Sequence, residues 1–197
     1  MLAKTDLKQA IAGKNRGLLA TQTDKTAILA AIAQVEARNP TPNPLDAPDL
    51  LEGDWLLLYT SSQELLGIDR FPVVNLGQIY QCIRVAETKV YNIAEVTGLP
   101  LLEGLVSVAA RFEPVNAQRV DVRFERGVVG LQRLVGYQSP SQLIRQIQTN
   151  PKLPFYKAFD FQINSDRQQG WLEITYLDED MRIGRGNQGS VFVLAKV

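Results

Sequence analysis

The feature that most limits the fold of this chain is an alternation of apolar and polar side chains with a period of two residues. It dominates the sequence after Leu50 and is clearest over residues 119–125, where Val120, Val122 and Phe124 alternate with charged side chains. Because successive side chains of a β-strand point to opposite faces of a sheet, this pattern predicts a strand with one buried face. The same reading predicts strands at residues 54–60, 78–86, 89–96, 105–112, 119–125, 128–135, 171–177, 181–185 and 190–196. Eight or nine short antiparallel strands with brief turns predict a barrel or a sandwich.

The first 38 residues follow a helical pattern instead. Asp6 can cap a helix over residues 7–12, and Thr23 or Asp24 can cap a longer one. The apolar side chains of the second helix share one face, formed by Ile28, Leu29, Ile32 and Val35. We expect this face to pack on the rest of the protein, and a partner-binding helix is the alternative. Short helices are also predicted at residues 63–67 and 141–149.

A proline-rich segment separates the two patterns, with four prolines in residues 39–48. Proline fixes its own φ and holds the preceding residue in an extended conformation, so the segment is predicted to be a stiff connector. We therefore expect residues 1–49 to form a helical leader and connector packed on a barrel of residues 50–197. Together they would make a single structural unit.

The composition limits the chemistry. The 197 residues include no histidine and one cysteine, Cys82, which removes His-based nucleophile pairs and thiolate zinc clusters. The 21 basic residues balance the 21 acidic ones, so no long-range field attracts nucleic acid. We predict no metal, no cofactor, no nucleic-acid partner and no enzymatic activity.

Two local motifs have an ordinary structural explanation. Residues 184–189 match the G-x-G-x-x-G pattern, but a strand follows them where a nucleotide-binding loop needs a helix, so a hairpin turn is predicted. Three acidic residues at 178–180 lack the spacing of a calcium loop. They are expected to form a solvated turn, with a charged cluster involving Arg182 or Arg185 as the alternative.

A glycine and a tryptophan stand where the first long strand begins. Gly53 permits a sharp entry of the chain, and the indole of Trp55 can plug one end of a barrel. Lipocalin-type barrels begin with this G-x-W pattern, and an arginine from a late strand covers the tryptophan by a cation–π contact. Arg182 and Arg185 are the candidates for that arginine.

Three blocks of sequence carry a resemblance to a known family. They are IAGKNRGLL at residues 11–19 with NPTPNPL at 39–45, LEGDWLLLYTSS at 51–62 with QIYQ at 78–81, and residues 171–194. On these blocks the chain resembles the plastid lipid-associated proteins, also called the fibrillins of plastids and cyanobacteria. The resemblance implies a mainly β fold, a lipocalin-like antiparallel β-barrel of about eight strands with an N-terminal helical segment and one or two short helices. It implies lipid or isoprenoid binding on thylakoids or lipid globules, with links to carotenoid storage, prenylquinone supply and photoprotection, and it brings no catalytic residues with it.

Alternation along the strands then selects candidate site residues. If Trp55 points inward, Leu57 and Tyr59 do so too. The full set of predicted lining residues is Trp55, Leu57, Tyr59, Val122, Phe124, Ile174, Tyr176 and Phe192. The predicted contacts to a polar head group are Glu173, Thr175, Arg182 and Arg185. The apolar hairpin tip predicted to touch a membrane comprises Leu99, Leu101 and Leu102.

These expectations define one main functional hypothesis and two alternatives. The main one is a carrier of an apolar small molecule (lipid, carotenoid or prenylquinone) that also contacts a membrane surface peripherally. The alternatives are a filled barrel that coats lipid surfaces, and an enzyme that uses Glu173 as an acid–base group. Since the sequence shows neither a signal peptide nor a transit peptide, we expect a thylakoid-associated or cytoplasmic protein of a cyanobacterium.

Overall fold

Nine antiparallel strands dominate this computed structural model, which describes residues 2–62, 75–97, 103–164 and 169–197. The strands are β1 Gly53–Thr60, β2 Asn75–Arg84, β3 Lys89–Thr97, β4 Gly104–Pro114, β5 Arg119–Leu131, β6 Ala158–Gln162, β7 Gln169–Leu177, β8 Met181–Gly186 and β9 Val191–Lys196. The helices are α1 Leu2–Ile11, α2 Gln22–Glu36, α3 Pro48–Leu51, α4 Gln132–Val135 and α5 Pro140–Thr149.

Eight of the strands close into a barrel. Their order is β4-β3-β2-β1-β9-β8-β7-β5, and pairing of β4 with β5 completes the ring. The β4–β5 ladder runs from Gly104 opposite Leu131 to Pro114 opposite Val120. β6 lies outside the ring and pairs with the second half of β5, at residues 126–130. The predicted lipocalin-like barrel of about eight strands is confirmed.

Several strand and helix predictions differ from the structure; α1, for example, begins at Leu2, whereas a helix was expected over residues 7–12. The strands predicted at 119–125 and 128–135 are one strand, β5, which continues through a bulge near Glu125 and ends at Leu131. β6 was not predicted, because its sequence AFDFQ is short and its phenylalanines are exposed to solvent. The helix predicted at 141–149 is α5, whereas the one predicted at 63–67 lies outside the described residues.

The helices cover the outer surface of the barrel on two sides. Apolar residues of α1 and α2 pack on β1, β7, β8 and β9, with Leu7, Ile28, Ile32 and Val35 almost fully buried. On the other side, Leu143, Ile144 and Ile147 of α5 pack on β2, β3, β4 and β5. α2 begins two residues earlier than expected, because Thr21 forms a capping box with Asp24.

The two motifs near the C-terminus fold as turns. Residues 187–189 form a 3₁₀ turn between β8 and β9, and Gly189 adopts a φ of 71°. In the acidic turn at 178–180, Asp178 accepts a hydrogen bond from Lys4 at 2.7 Å and another from Tyr176. The acidic turn therefore connects α1 to the β7–β8 turn. Its basic partner is Lys4, and not Arg182 or Arg185, which the sequence had offered as alternatives.

Candidate ligand cavity

The barrel encloses a cavity of about 740 Å³. This volume falls in the range of small-molecule sites in proteins, which is roughly 300–1,000 Å³. Most of the wall is apolar and comes from inward-facing positions of β3, β4, β5, β7 and β9. The principal apolar residues are Val90, Val108, Phe112, Val122, Phe124, Leu172, Ile174 and Phe192.

The connector forms the floor of the cavity, at the end where β1 begins. Leu45 and Leu51 line the cavity from below, and the Leu45 amide donates a hydrogen bond to the Ala117 carbonyl at 3.1 Å. The Trp55 indole donates to the Leu51 carbonyl at 3.0 Å and is fully buried. The proline-rich segment and α3 together close this end of the barrel, because Leu45 is hydrogen-bonded to the β4–β5 turn and Leu51 to Trp55.

Small polar residues line the opposite end. Ser61 and Ser62 follow β1, and Asn187 and Ser190 belong to the β8–β9 turn. The Ser61 hydroxyl accepts a hydrogen bond from the Val191 amide at 2.9 Å, which links the two turns. The cavity therefore has an apolar middle between a floor at Trp55 and a polar rim.

A polar network crosses the barrel just above the floor. Arg182 of β8 donates a hydrogen bond to the Gln81 side-chain oxygen, and Gln81 donates to the Asn92 side-chain oxygen at 3.0 Å. All three side chains line the cavity. The Arg182 guanidinium carbon lies 5.1 Å from the centroid of the Trp55 ring, within cation–π range.

Arg182 is one of the most deeply buried side chains of the barrel, with 1% of its surface exposed. Burial lowers the pKa of its guanidinium to about 9, so the group remains protonated at neutral pH. Its Nε is buried without a hydrogen-bond partner among the described residues. None of the described lining residues is an aspartate or a glutamate, so this wall offers the cation no neutralising charge.

Five of the residues predicted from alternation line the cavity: Val122, Phe124, Ile174, Phe192 and Arg182. Trp55 and Leu57 also point into the barrel, where they pack with the inner apolar cluster beside the cavity. These seven side chains come from five strands, β1, β5, β7, β8 and β9. Leu99, Leu101 and Leu102 lie outside the described residues.

Two predicted lining residues, Tyr59 and Tyr176, lie on the outer face of the barrel beneath α1 and α2. A bulge between Leu57 and Tyr59 in β1 and another between Ile174 and Tyr176 in β7 shift the register by one residue. A one-residue shift reverses the faces of all side chains beyond it. The expected inward orientation of both tyrosines therefore does not occur.

Three predicted head-group contacts also face outward. Arg185 makes two hydrogen bonds to the Glu36 carboxylate of α2, at 2.9 and 2.7 Å, and Thr175 donates to the same carboxylate at 2.5 Å. Glu173 is on the same face of β7 as Thr175 and does not line the cavity. Arg185 and Thr175 thus fasten the leader to the barrel, and Arg182 is the predicted head-group residue that reaches the interior.

Sequence reasoning missed Gln81 and Asn92, the polar partners on β2 and β3. Their direction follows from the strand register: Gln81 pairs with Trp55 across β1 and β2, and Asn92 pairs with Gln81 across β2 and β3. Residues that face each other across antiparallel strands share a face. The inward direction of Trp55 therefore fixes the direction of both residues, once the register is known.

A separate apolar surface lies on and before β6. Phe155 is 94% exposed, Tyr156 65% and Phe159 70%, and the ring of Phe159 lies 5.2 Å from that of Phe161. We call these four residues the aromatic patch.

The stretch of sequence that contains the aromatic patch is rich in basic residues. Residues 126–164 carry one acidic side chain, Asp160, and it is buried in an ion pair with Arg126 at 2.6 Å. The basic side chains of the same stretch are Arg126, Arg133, Arg145, Lys152 and Lys157. Four of these five cations are therefore left unmatched by an acidic residue of the stretch.

Within the described ranges, no group of acidic or cysteine side chains is arranged to hold a metal ion. Of the helices there, none has the length and apolar character needed to cross a membrane. Burial raises the pKa of the Cys82 thiol, which lies under α5 on the outer face of the barrel. The chemistry that this cavity offers is therefore the binding of an apolar molecule, with one cation and two amides at one end.

The chain matches one protein-family model and several plastid proteins. The PAP_fibrillin family model matches residues 1–195. The chain is 33% identical to the probable plastid-lipid-associated protein 2 of Arabidopsis thaliana, over 98% of this chain and 70% of that protein. It is 32% identical to the light-induced chloroplastic protein of Solanum demissum (99% of this chain, 67% of the other) and to the chromoplast-specific carotenoid-associated protein of Cucumis sativus (98% and 67%). No solved structure matches significantly.

Proposed function

Because the chain belongs to the PAP_fibrillin family of plastid lipid-associated proteins, we propose that it binds one lipid or isoprenoid molecule inside its barrel and works at lipid surfaces. The observation that carries this proposal is the cavity of about 740 Å³ with its apolar wall. A carotenoid, a prenylquinone and a glycerolipid are the candidate ligands. The name of the cucumber relative, a carotenoid-associated protein, supports the first of these.

The affinity follows from the burial of hydrocarbon. Each CH₂ group transferred from water to an apolar site contributes about 0.8 kcal/mol before the cost of ordering the ligand. About 8 kcal/mol corresponds to micromolar binding, so a buried chain of ten or more carbons is sufficient. The open volume counts against the alternative of a filled barrel. With no carboxylate among the described lining residues, an acid–base enzyme gains no support from this wall.

The test of the proposal is a titration of the delipidated protein with N-phenyl-1-naphthylamine, a neutral probe that fluoresces in apolar sites. We expect saturable binding of one probe per chain, with displacement by a carotenoid, a prenylquinone or a galactolipid. Val122→Trp should abolish the signal, because the indole would occupy the cavity. Arg123→Trp, the next residue on the same strand and on the opposite face, has half of its side chain exposed and is the matched control, which should bind normally.

Two results would contradict the proposal. If wild-type protein shows no saturable signal, or if Val122→Trp and Arg123→Trp bind alike, the barrel does not hold the ligand. The filled-barrel coat would then be the better explanation. Circular dichroism of each variant establishes that its fold is retained.

The aromatic patch supports the second half of the proposal, attachment to a lipid surface. Exposed phenylalanine and tyrosine rings insert into the interfacial region of a bilayer, and nearby lysines are attracted to anionic head groups. Lys152 and Lys157 flank Phe155 and Tyr156 in the chain, and the acidic side chain nearby, Asp160, is already paired. The surface proposed for docking is therefore β6 and the segment before it. The predicted contact at Leu99, Leu101 and Leu102 stays a prediction.

A further inference from the structure

We propose that the ligand of the barrel is an anionic amphiphile. Its carboxylate or similar acidic head group pairs with Arg182, and its hydrocarbon tail extends towards the polar rim. This inference rests on the proposed function and narrows it. It distinguishes acidic lipids such as fatty acids from neutral ones such as carotenes, quinones and galactolipids.

Among the described residues, no carboxylate pairs with Arg182. A guanidinium has five N–H donors, and burying it without a counter-charge is costly. Its donors have one side-chain acceptor among the described residues, the Gln81 amide oxygen, and its Nε has none there. The cation–π contact with Trp55 offsets part of the cost. A neutral amide oxygen and an aromatic ring do not neutralise the charge.

Two other arginines of the same barrel, Arg126 and Arg185, are paired with carboxylates. Arg126 makes two hydrogen bonds to the Asp160 carboxylate, at 2.9 and 2.6 Å, and Arg185 makes two to Glu36. Both of these arginines lie on the outer face and are more exposed than Arg182. Each of these two arginines thus has a carboxylate partner, although burying its guanidinium costs less than burying that of Arg182. At Arg182, where the cost is greatest, the guanidinium faces a cavity.

The position of the charge suits the head of an amphiphile. Arg182 lies beside Trp55, just above the floor, and the wall between it and the rim is formed largely by valine, isoleucine and phenylalanine side chains. An amphiphile with its head at the floor would match both regions. Lys196, the other cation over the Trp55 ring, already donates to the Leu50 carbonyl at 2.9 Å. Lys196 does not line the cavity, so Arg182 is the cation that the described wall presents to a ligand.

The test compares an acid with its own ester, so that the hydrocarbon tail stays the same. Oleic acid and methyl oleate are titrated separately against the N-phenyl-1-naphthylamine complex of the wild-type protein at pH 8. We expect the acid to displace the probe with an affinity at least about 10-fold higher, or about 1.4 kcal/mol, because only the acid forms charge-assisted hydrogen bonds to the guanidinium. In Arg182→Gln the preference should fall to about 1, mainly through loss of acid binding.

A matched control is available on the same strand. Arg185→Gln removes a cation of the same type three residues away on the opposite face, and it should keep the full preference for the acid. Equal affinity of the wild-type protein for acid and ester would overturn the inference while leaving the proposed lipid carrier intact. If neither compound nor the probe itself binds, the carrier and the inference both fail. Because the acid–ester comparison uses the unaltered protein, it decides the question even where a variant folds poorly.

Discussion

Arg182 and Trp55 meet inside the barrel with 5.1 Å between the guanidinium carbon and the ring centroid, although their strands, β8 and β1, are separated by β9. The contact is possible because both side chains point inward near the same end of the barrel. Arg185, three residues later on β8, has the opposite orientation and pairs with Glu36. Arg182 thus lies beside Trp55 at the floor and brings a cation into a cavity whose described wall holds no carboxylate.

One testable consequence concerns the loop that joins α1 to α2. A Cβ atom at Gly17 would lie 2.4 Å from the Thr60 carbonyl oxygen, and Gly17 has a φ of 109°. Gly17→Ala should therefore lower the free energy of unfolding by about 3 kcal/mol, from overpacking and backbone strain together. Chemical denaturation measures this change directly.

Gly13 provides the control for Gly17. Its φ of 70° is also unfavourable for alanine, but no described atom lies within 4 Å of the added Cβ. Gly13→Ala should cost only the strain, about 1 kcal/mol. Equal losses at the two positions would mean that the close approach of this loop to β1 contributes nothing to stability.

The ion pair between α1 and the acidic turn predicts a pH dependence. Burial alone would raise the pKa of Asp178, but hydrogen bonds from Lys4 and Tyr176 lower that pKa to about 2, from its usual value of 3.8. A carboxyl with a depressed pKa stabilises the fold above its unfolded pKa, and the contribution disappears as the pH falls through the folded value. Lys4→Gln should therefore cost about 1–2 kcal/mol at pH 7, after allowance for solvent screening, and progressively less from pH 4 to pH 2.

The measurement is urea denaturation of wild-type and Lys4→Gln protein at several pH values. Lys25→Gln, at a lysine of α2, is the control and should shift stability by less than about 0.5 kcal/mol at any pH. A difference between wild type and Lys4→Gln that stays constant from pH 7 to pH 2 would show that Asp178 is not the partner that matters.

Removal of the aromatic patch should abolish docking to lipid. We expect Phe155→Ser combined with Phe159→Ser to lose flotation with vesicles of equal parts phosphatidylglycerol and phosphatidylcholine, while ligand binding in the barrel is unchanged. Both side chains are exposed, so the fold should survive. Lys152→Gln with Lys157→Gln should weaken flotation mainly at low salt, since screened charges attract over a shorter range.

The control for the patch uses exposed apolar side chains elsewhere. Leu19→Ser and Leu29→Ser alter residues that are 66% and 41% exposed on the leader, and flotation should persist. If the patch variant floats as well as wild type, docking takes place elsewhere. The next variant to examine would then be Leu101→Asp with Leu102→Asp.

The sequence predicted the architecture better than it predicted the site. Alternation identified the faces correctly at Val122, Phe124 and Ile174, which precede the bulges of their strands. It failed at Tyr59 and Tyr176, since a bulge between each tyrosine and the preceding inward residue leaves no trace in the hydrophobic pattern. Both tyrosines are apolar enough to suit either face.

The polar network was missed for a different reason. Gln81 and Asn92 occupy strand positions where a glutamine or an asparagine usually indicates the solvent face, and only the register between β1, β2 and β3 assigns them to the interior. In the same way, Arg182 and Arg185 were equivalent candidates until the orientation of β8 separated them. Pairing across strands is a non-local property, so a single sequence does not determine it.

The most direct test of the proposed binding mode places a bromine atom at either end of a fatty acid. Bromine quenches tryptophan fluorescence only at short range, and Trp171→Phe leaves Trp55 as the single tryptophan of the chain. With the head group at Arg182, 2-bromohexadecanoic acid should quench Trp55 strongly and saturate at one molecule per chain, whereas 16-bromohexadecanoic acid should quench it weakly. Stronger quenching by the 16-bromo isomer, or no saturable quenching by either, would contradict a ligand held in the barrel with its acidic head at the floor.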